Sequence, residues 1–263
     1  MININTSKCT GCKKCVRVCP HKVIEMNDIS KAEAVRQDIC IHCAHCMSVC
    51  PADAISADFT DSMLGRSIKD IDLPKNDQVE NFMLTRRSIR VFSKKVVEKE
   101  KILKILQIAA HAPTTHNQQN VKFIVAGPER TDELEELAHD FYINQKEDLI
   151  GKLTREAGFK VLSGAPVTIA LYADKSDEGD FNLALWNCLI AAQNLLMAAH
   201  GMGLGGCYNG LLLYAYSNDS KLQEFFKMPK DMKIYMFAEL GYVDPAIKYR
   251  NIIIRKDPDV TWM

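Results

Sequence analysis

The chain has 263 residues, 47% of them hydrophobic and 25% charged, the proportions of an ordinary soluble globular protein. Lys plus Arg equals Asp plus Glu at 33 each, so no global charge argues for nucleic acid or a membrane surface, and any partner has to be inferred from sites. The length leaves room for a small N-terminal module and a second domain with its own core.

In chain order, Ile2 to Ile4 predicts a short edge strand, and Met1 to Lys8 is too short and polar for a signal peptide. The run C-T-G-C-K-K-C-V-R-V-C-P begins at Cys9, and C-I-H-C-A-H-C-M-S-V-C-P begins 31 residues later at Cys40. Lys13 to Val18 predicts a ligand-bearing turn of helix and Lys22 to Arg36 a small hairpin, with Cys46 to Val49 and Ala54 to Ala57 repeating the plan. The spacing C-x-x-C-x-x-C-x-x-x-C-P is the run that wraps a [4Fe–4S] cluster, three cysteines holding one cube and the fourth reaching across to the other. Cys9, Cys12, Cys15 and Cys50 are therefore expected to hold one cluster, and Cys40, Cys43, Cys46 and Cys19 the second. A zinc site built from C-x-x-C pairs has no use for the third cysteine or the crossover. A disulfide framework fits neither the absence of a secretory segment nor the regular run.

This stretch resembles the two-cluster bacterial ferredoxins. Cys9/Cys40, Cys12/Cys43, Cys15/Cys46, Cys19/Cys50, Pro20/Pro51 and Ile24/Ile55 share the offset of 31 that a pseudo-symmetric pair of half-domains requires. His42 and His45, between ligands, are read as shielding the cube. Such clusters fit a reducing cytoplasm.

From about Asp58 to Asn81 the periodicity is weak, as in a linker draped over a surface. The expected organisation is residues 1–60 as the iron-sulfur domain, 61–80 as linker and 81–263 as the second domain. Val97 to Ala110 carries an apolar helical stripe, Val121 to Ala126 predicts a buried strand, Glu129 to Tyr142 a helix and Val167 to Tyr172 a strand. Phe181 to Ala199 is long enough to span a bilayer but contains Asn182, Asn187, Gln193 and Asn194, so it is read as a buried core helix, capped by Asp180 and ended by Gly201. Lys233 to Leu240 predicts another strand, and Ile252 to Ile254 a fourth in an extended tail. Strands interspersed with helices make this α+β or α/β. Cys188 and Cys207, outside the repeated runs, are read as small buried hydrophobes.

Thr85-Arg86-Arg87-Ser88-Ile89-Arg90-Val91-Phe92 packs three guanidiniums and a hydroxyl into five residues, suited to gripping a phosphate. Three further stretches accompany it: Ala112-Pro113-Thr114-Thr115-His116-Asn117-Gln118-Gln119, Gly201-Met202-Gly203-Leu204-Gly205-Gly206-Cys207-Tyr208-Asn209-Gly210, and Lys248-Tyr249-Arg250. The glycine-rich stretch ends a helix instead of joining a strand to one, which excludes a dinucleotide fingerprint.

Taken in this order, the four stretches resemble the FMN-dependent nitroreductase family, from about Asn81 to Arg250. The resemblance implies an α+β chain in which the small ferredoxin-like domain precedes a three-layer α/β/α domain with a mixed sheet. It gives Arg86, Ser88, Lys248 and Arg250 the flavin phosphate, Arg87 the ribityl chain and Arg90 the N1/O2 edge of the ring. It implies that Pro113, Thr114, Thr115 and Asn117 contact the flavin of the neighbouring subunit in a homodimer, and that Tyr208, Asn209 and Gly210 pass the N5/O4 edge. Gly203, Gly205 and Gly206 suit a backbone that must approach a flat ring. Asn120-Val121 departs from the Pro-Trp found in many members. No side chain is assigned as catalytic; His116, beside the flavin loop, is as readily a surface histidine as a proton donor.

The function implied is a cytoplasmic flavin oxidoreductase relaying electrons through two [4Fe–4S] clusters to FMN and on to a small organic acceptor such as a nitro compound or quinone. The donor would be reduced ferredoxin or NAD(P)H. Two rivals remain at this point: an electron-transfer protein without its own substrate, and NAD(P)H reduction of FMN with the clusters as exit path.

Overall fold

In the computed structural model, residues 1–59, 65, 67–145, 149–156, 158–175 and 182–263 are described. They divide into two units, Met1–Leu73 with His116–Gln118, and Pro74–Thr115 with Gln119–Met263.

The first unit runs β1 (Ile2–Ile4), α1 (Lys14–Val18), β2 (Ile24–Met26), β3 (Ala32–Ala34), α2 (His45–Ser48) and β4 (Ile55–Ala57). β1 pairs antiparallel with β4 in the register Ile2↔Ala57, and β2 pairs with β3 through Ile24↔Ala34. Ile2, Val23, Ile24, Ala32, Met47 and Ile55 form its core together with cysteines of both runs. The repeat extends to the backbone, because left-handed residues recur at the same offset: Gly11 and His42 (φ 70° and 53°), Lys13 and Ala44 (61° and 57°), Lys22 and Asp53 (53° and 45°). At Gly11 a Cβ would lie 2.5 Å from the Ser30 carbonyl oxygen, so only glycine fits.

The second unit opens with α3 (Asn76–Thr85), which begins in the stretch expected to be linker and runs into the expected second domain; it contributes no buried residue. There follow α4 (Lys99–Ala110), β5 (Lys122–Ala126), α5 (Pro128–Ile143), α6 (Leu149–Thr154), β6 (Val167–Asp174) and α7 (Leu183–Gly201). The unit continues with β7 (Gly205–Tyr208), α8 (Gly210–Asn218), α9 (Ser220–Phe226) and β8 (Met232–Gly241). The sheet has the order β5-β6-β8-β7 with antiparallel neighbours, and the bridge between Ser88 and Gly206 adds its parallel element. Successive strand residues point to opposite faces. Ile169, Leu171, Ala238 and Leu240 join Ile105, Ala109 and the buried side of α7 on one face. Ala170 and Phe237 join Leu134, Ala138, Leu212 and Leu222 on the other, which gives the three layers.

By length and composition α7 could cross a membrane, yet half of it is buried inside the unit. Asp180 lies outside the described residues; the observed cap is Asn182, whose side chain accepts the Leu185 N–H at 3.1 Å. The helix ends at Gly201, as expected, but the left-handed glycine that follows the end is not Gly201 itself. Gly203 takes that position (φ 74°), donating to the His200 carbonyl at 3.0 Å while Leu204 donates to that of Ala199 at 2.9 Å, the paired bonds of a Schellman end. The strand expected at Ile252 to Ile254 does not form: these residues are exposed and outside every ladder.

Candidate cofactor sites

In the first unit the two cysteine runs interleave. One cavity is lined by Cys9, Cys12, Cys15 and Cys50, and a second by Cys19, Cys40, Cys43 and Cys46. Each set surrounds a space instead of a point: among the described residues no three His, Cys, Asp or Glu groups are close enough to share one ion. Four thiols around a cavity fit a cube that takes each cysteine on a different iron, and do not fit the single tetrahedral ion of a zinc site. Backbone N–H groups point at the sulfurs with the same offset, Val23 to Cys19 Sγ and Ala54 to Cys50 Sγ, both at 3.3 Å. A donor to sulfur raises a cluster's potential, so these bonds act on chemistry as well as fold. The Lys14 N–H holds the Cys12 thiol below its ordinary range, whereas burial pushes Cys15 up and Cys46 up to about 11. Ligation has to displace those protons. His42 and His45 are exposed, and the His42 ring lies 4.1 Å from that of Phe59.

In the second unit, a cavity of about 140 Å³ opens where α3 ends. Arg86 and Arg87 line it with His200, Tyr249 and the backbone of Gly205 and Gly206. The Ile89 N–H donates to the Gly206 carbonyl at 3.1 Å, which draws the arginine segment along β7. Arg87 is fixed from the far end of the chain: it donates to the Asn251 carbonyl at 3.2 Å, and its guanidinium carbon stands 4.5 Å from the Tyr249 ring centroid. Lys248 and Arg250 flank Tyr249 on this exposed segment. Two guanidiniums meeting in a concave space with no carboxylate on its described lining fit an anion of phosphate type. Ser88 and Arg90 lie beside Cys207, whose thiol is pushed up by burial against the pull of Arg90.

The glycines of β7 have a reason the sequence did not show. A Cβ on Gly205 would meet Ile89 at 2.7 Å, and one on Gly206 would meet Leu196 at 2.6 Å and Leu240 at 2.9 Å, so both serve close packing. Tyr208 directs its hydroxyl to Gln193 on α7 at 2.9 Å. The Asn209 side chain is committed to the fold: it caps α8 by accepting the Leu212 N–H at 2.7 Å, donates to the Val161 carbonyl at 2.9 Å, and donates to Glu239. Only the backbone of Asn209 and the exposed Gly210 remain for a ligand.

Pro113, Thr114, Thr115 and Asn117 are not on the described lining of the arginine cavity. Thr114 lines a separate space of about 80 Å³ against α4 and α7, and Asn117 groups with the first unit. Their loop holds His116, Asn117 and Gln119 at φ of 50°, 55° and 48°, an unfavourable run for residues with side chains. Asn187, almost fully buried on α7, clamps it: its carbonyl accepts the Thr115 N–H at 3.0 Å and its amide donates to Asn120 at 3.0 Å. Cys188 is fully buried and its thiol is pushed up to about 12, so it behaves as an apolar residue, as expected.

Comparison with known proteins agrees with this division. Residues 83–242, more than half of the chain, match the model of the nitroreductase family, and residues 8–54 match that of the 4Fe-4S dicluster domain. A relative from Archaeoglobus fulgidus, provisionally named an NADH dehydrogenase/NAD(P)H nitroreductase, is 28% identical over 178 residues, covering 66% of this chain and 91% of the relative. The nitroreductase of Bacteroides fragilis, solved with bound FMN, superposes with a TM-score of 0.62 at 17% identity over 71% of this chain and 99% of its own. That of Desulfitobacterium hafniense, also with bound FMN, gives 0.61 at 22% identity over 70% and 97%. The chain belongs to the nitroreductase family and carries a 4Fe–4S dicluster domain at its N-terminal end.

Proposed function

We propose that the protein is an FMN-dependent oxidoreductase in which the dicluster domain exchanges electrons with a flavin held at the arginine cavity, and that a small organic acceptor, a nitro compound or quinone, is the final oxidant. The clusters supply one-electron steps and FMN the conversion of single electrons into pairs. The observation that carries this reading is the presence, in one chain, of two four-cysteine cavities and an arginine cavity.

Cys9, Cys12, Cys15 and Cys50 hold one cluster and Cys19, Cys40, Cys43 and Cys46 the other. Arg86 neutralises the phosphate, with Ser88, Lys248 and Arg250 completing its surroundings, and Arg87 lies along the ribityl chain. Arg90 sets a fixed positive charge near the ring, where negative charge develops on reduction. Tyr208 and the Asn209–Gly210 backbone border the ring, and Pro113, Thr114, Thr115 and Asn117 serve the flavin of a second subunit. A homodimer is supported by Trp186, Leu189 and Ile190, exposed at 49%, 38% and 43% on one side of α7. The domain limits proposed are 1–60, 61–80 and 81–263. Ten free cysteines suit a reducing, cytoplasmic setting.

Anaerobic stopped-flow absorbance tests the reading. Reduced ferredoxin is expected to bleach the flavin rapidly in the full chain and slowly in Cys12→Ala, while dithionite reduces both. Equal rates with reduced ferredoxin would remove the clusters from the entry path; rapid bleaching by NADH in both proteins would favour the clusters as exit path.

A further inference from the structure

The arginine cavity contains a histidine to which the family resemblance gives no role. His200 stands on the last turn of α7, and its ring shares the lining with Arg86, Arg87 and Tyr249. Its Nε2 lies 3.1 Å from the Thr85 hydroxyl, and the Phe82 ring packs 5.0 Å away between centroids, so two contacts from α3 hold the imidazole at the cavity wall. Burial, with the Arg86 charge second, keeps His200 below the ordinary imidazole range. The charged groups facing it are Arg86 and Arg87, Tyr249 is the other titratable side chain, and the described lining contains no carboxylate.

We propose that His200 is a further phosphate-contacting residue of this site, one that takes up a proton as a phosphomonoester dianion enters and so sets the preference for FMN over riboflavin. The inference rests on the FMN reading above. Neutral His200 accepts one proton from solvent, and no other bond changes. A dianion beside Arg86 offsets that charge, the smaller of the two causes that keep this proton off, and adds an attraction of its own that works against the burial. The C-terminal end of α7, with its partial negative charge, favours the imidazolium from the other side. Because the imidazole holds its proton to higher pH with phosphate present than without it, affinity falls as pH rises through the window between the two titrations and is level above it. Below about pH 6 the phosphate takes its own second proton and affinity declines again.

The test uses the full chain freed of flavin, with FMN and riboflavin binding followed by fluorescence quenching between pH 6.5 and 8.5, in wild type and in His200→Gln. Glutamine keeps a hydrogen-bonding group near Thr85 and cannot titrate. The wild-type Kd for FMN is expected to rise by up to roughly tenfold per pH unit within the window, as one linked proton requires. That for riboflavin should stay level, and the variant should show a level FMN profile near the high-pH wild-type value. Parallel FMN profiles in the two proteins overturn the inference while leaving the FMN reading intact. If neither flavin binds, the FMN reading fails, and a titration of the His200 imidazole NMR signals with inorganic phosphate decides the inference. An upward shift of its titration supports a phosphate contact, and an unchanged titration overturns it.

Discussion

Asn209 donates its side-chain amide to the carboxyl of Glu239, and the two are buried together, at 5% and 1% exposure, where β7 leads into α8. Burial pushes Glu239 up to about 7 against an ordinary 4.5, with the Asn209 and Ser163 hydrogen bonds opposing it. In the folded chain Glu239 thus holds a proton between about pH 4.5 and 7 that the unfolded chain has released, so stability is full below this window and falls as pH rises through it. At about 1.4 kcal/mol per unit, the shift from 4.5 to about 7 corresponds to a loss of about 3.5 kcal/mol at most. Glu239→Gln cannot ionise and is expected to level this part of the profile, with wild type and variant diverging between about pH 4.5 and 7 in urea denaturation. Profiles that stay parallel would exclude Glu239 as the titrating group.

The crossover of the cysteines predicts which cluster a ligand variant damages. Cys19 belongs by sequence to the first run and by position to the cavity of Cys40, Cys43 and Cys46. Cys19→Ala is expected to impair the cluster of that second triplet, leaving the signal from Cys9, Cys12, Cys15 and Cys50. Electron paramagnetic resonance of the reduced variant separates the two, and selective loss of the first-triplet cluster would contradict the assignment.

Arg86 is the guanidinium held nearest α3 in the second site, and it is expected to bear on FMN alone. A charge-assisted bond contributes about 1.5 to 3 kcal/mol, so Arg86→Ala should weaken FMN about tenfold to a hundredfold. Riboflavin affinity and iron content should be unchanged. An equal loss for both flavins would place Arg86 away from the phosphate.

Asn187 joins both ends of the strained loop through one buried amide. Asn187→Ala leaves the Thr115 N–H without this acceptor, at a cost of about 1 to 3 kcal/mol. Hydrogen exchange at Thr115 and its neighbours should accelerate while exchange in β6 and β8 keeps its protection. Uniform acceleration would instead mean that Asn187 supports the whole unit.

The parts of the molecule legible in the sequence were those whose chemistry fixes spacing or whose packing leaves a stripe. The cysteine runs predicted the two cavities because a cube admits few spacings, and α4, α5, α7, β5, β6 and β8 followed from periodic burial. α3 was missed because it buries no residue, so it leaves no apolar rhythm. β7 was missed because Gly-Gly has low strand propensity, and the reason for those glycines is the nearness of Ile89, Leu196 and Leu240, which only the fold supplies. The capping Asn182 stands two residues beyond Asp180, an equally good cap by type. His200 carried one signal, its place directly before Gly201-Met202-Gly203, and that signal alone could not separate it from an ordinary helix-terminal histidine.

Gly11 and His42 stand at equivalent steps of the two half-domains, both left-handed, and only the histidine bears the steric penalty of that conformation, about 1 kcal/mol. A repeat that is symmetric in its ligands is therefore asymmetric in durability. Under oxygen or a chelator, the loop from Cys40 to Cys46 is expected to release the strain at His42, which has no counterpart at Gly11, and its cluster is expected to decay first. Timed iron release should pass through a one-cluster protein whose surviving cube is held by Cys9, Cys12, Cys15 and Cys50, and His42→Gly should slow the first phase by up to about fivefold, the kinetic equivalent of that energy.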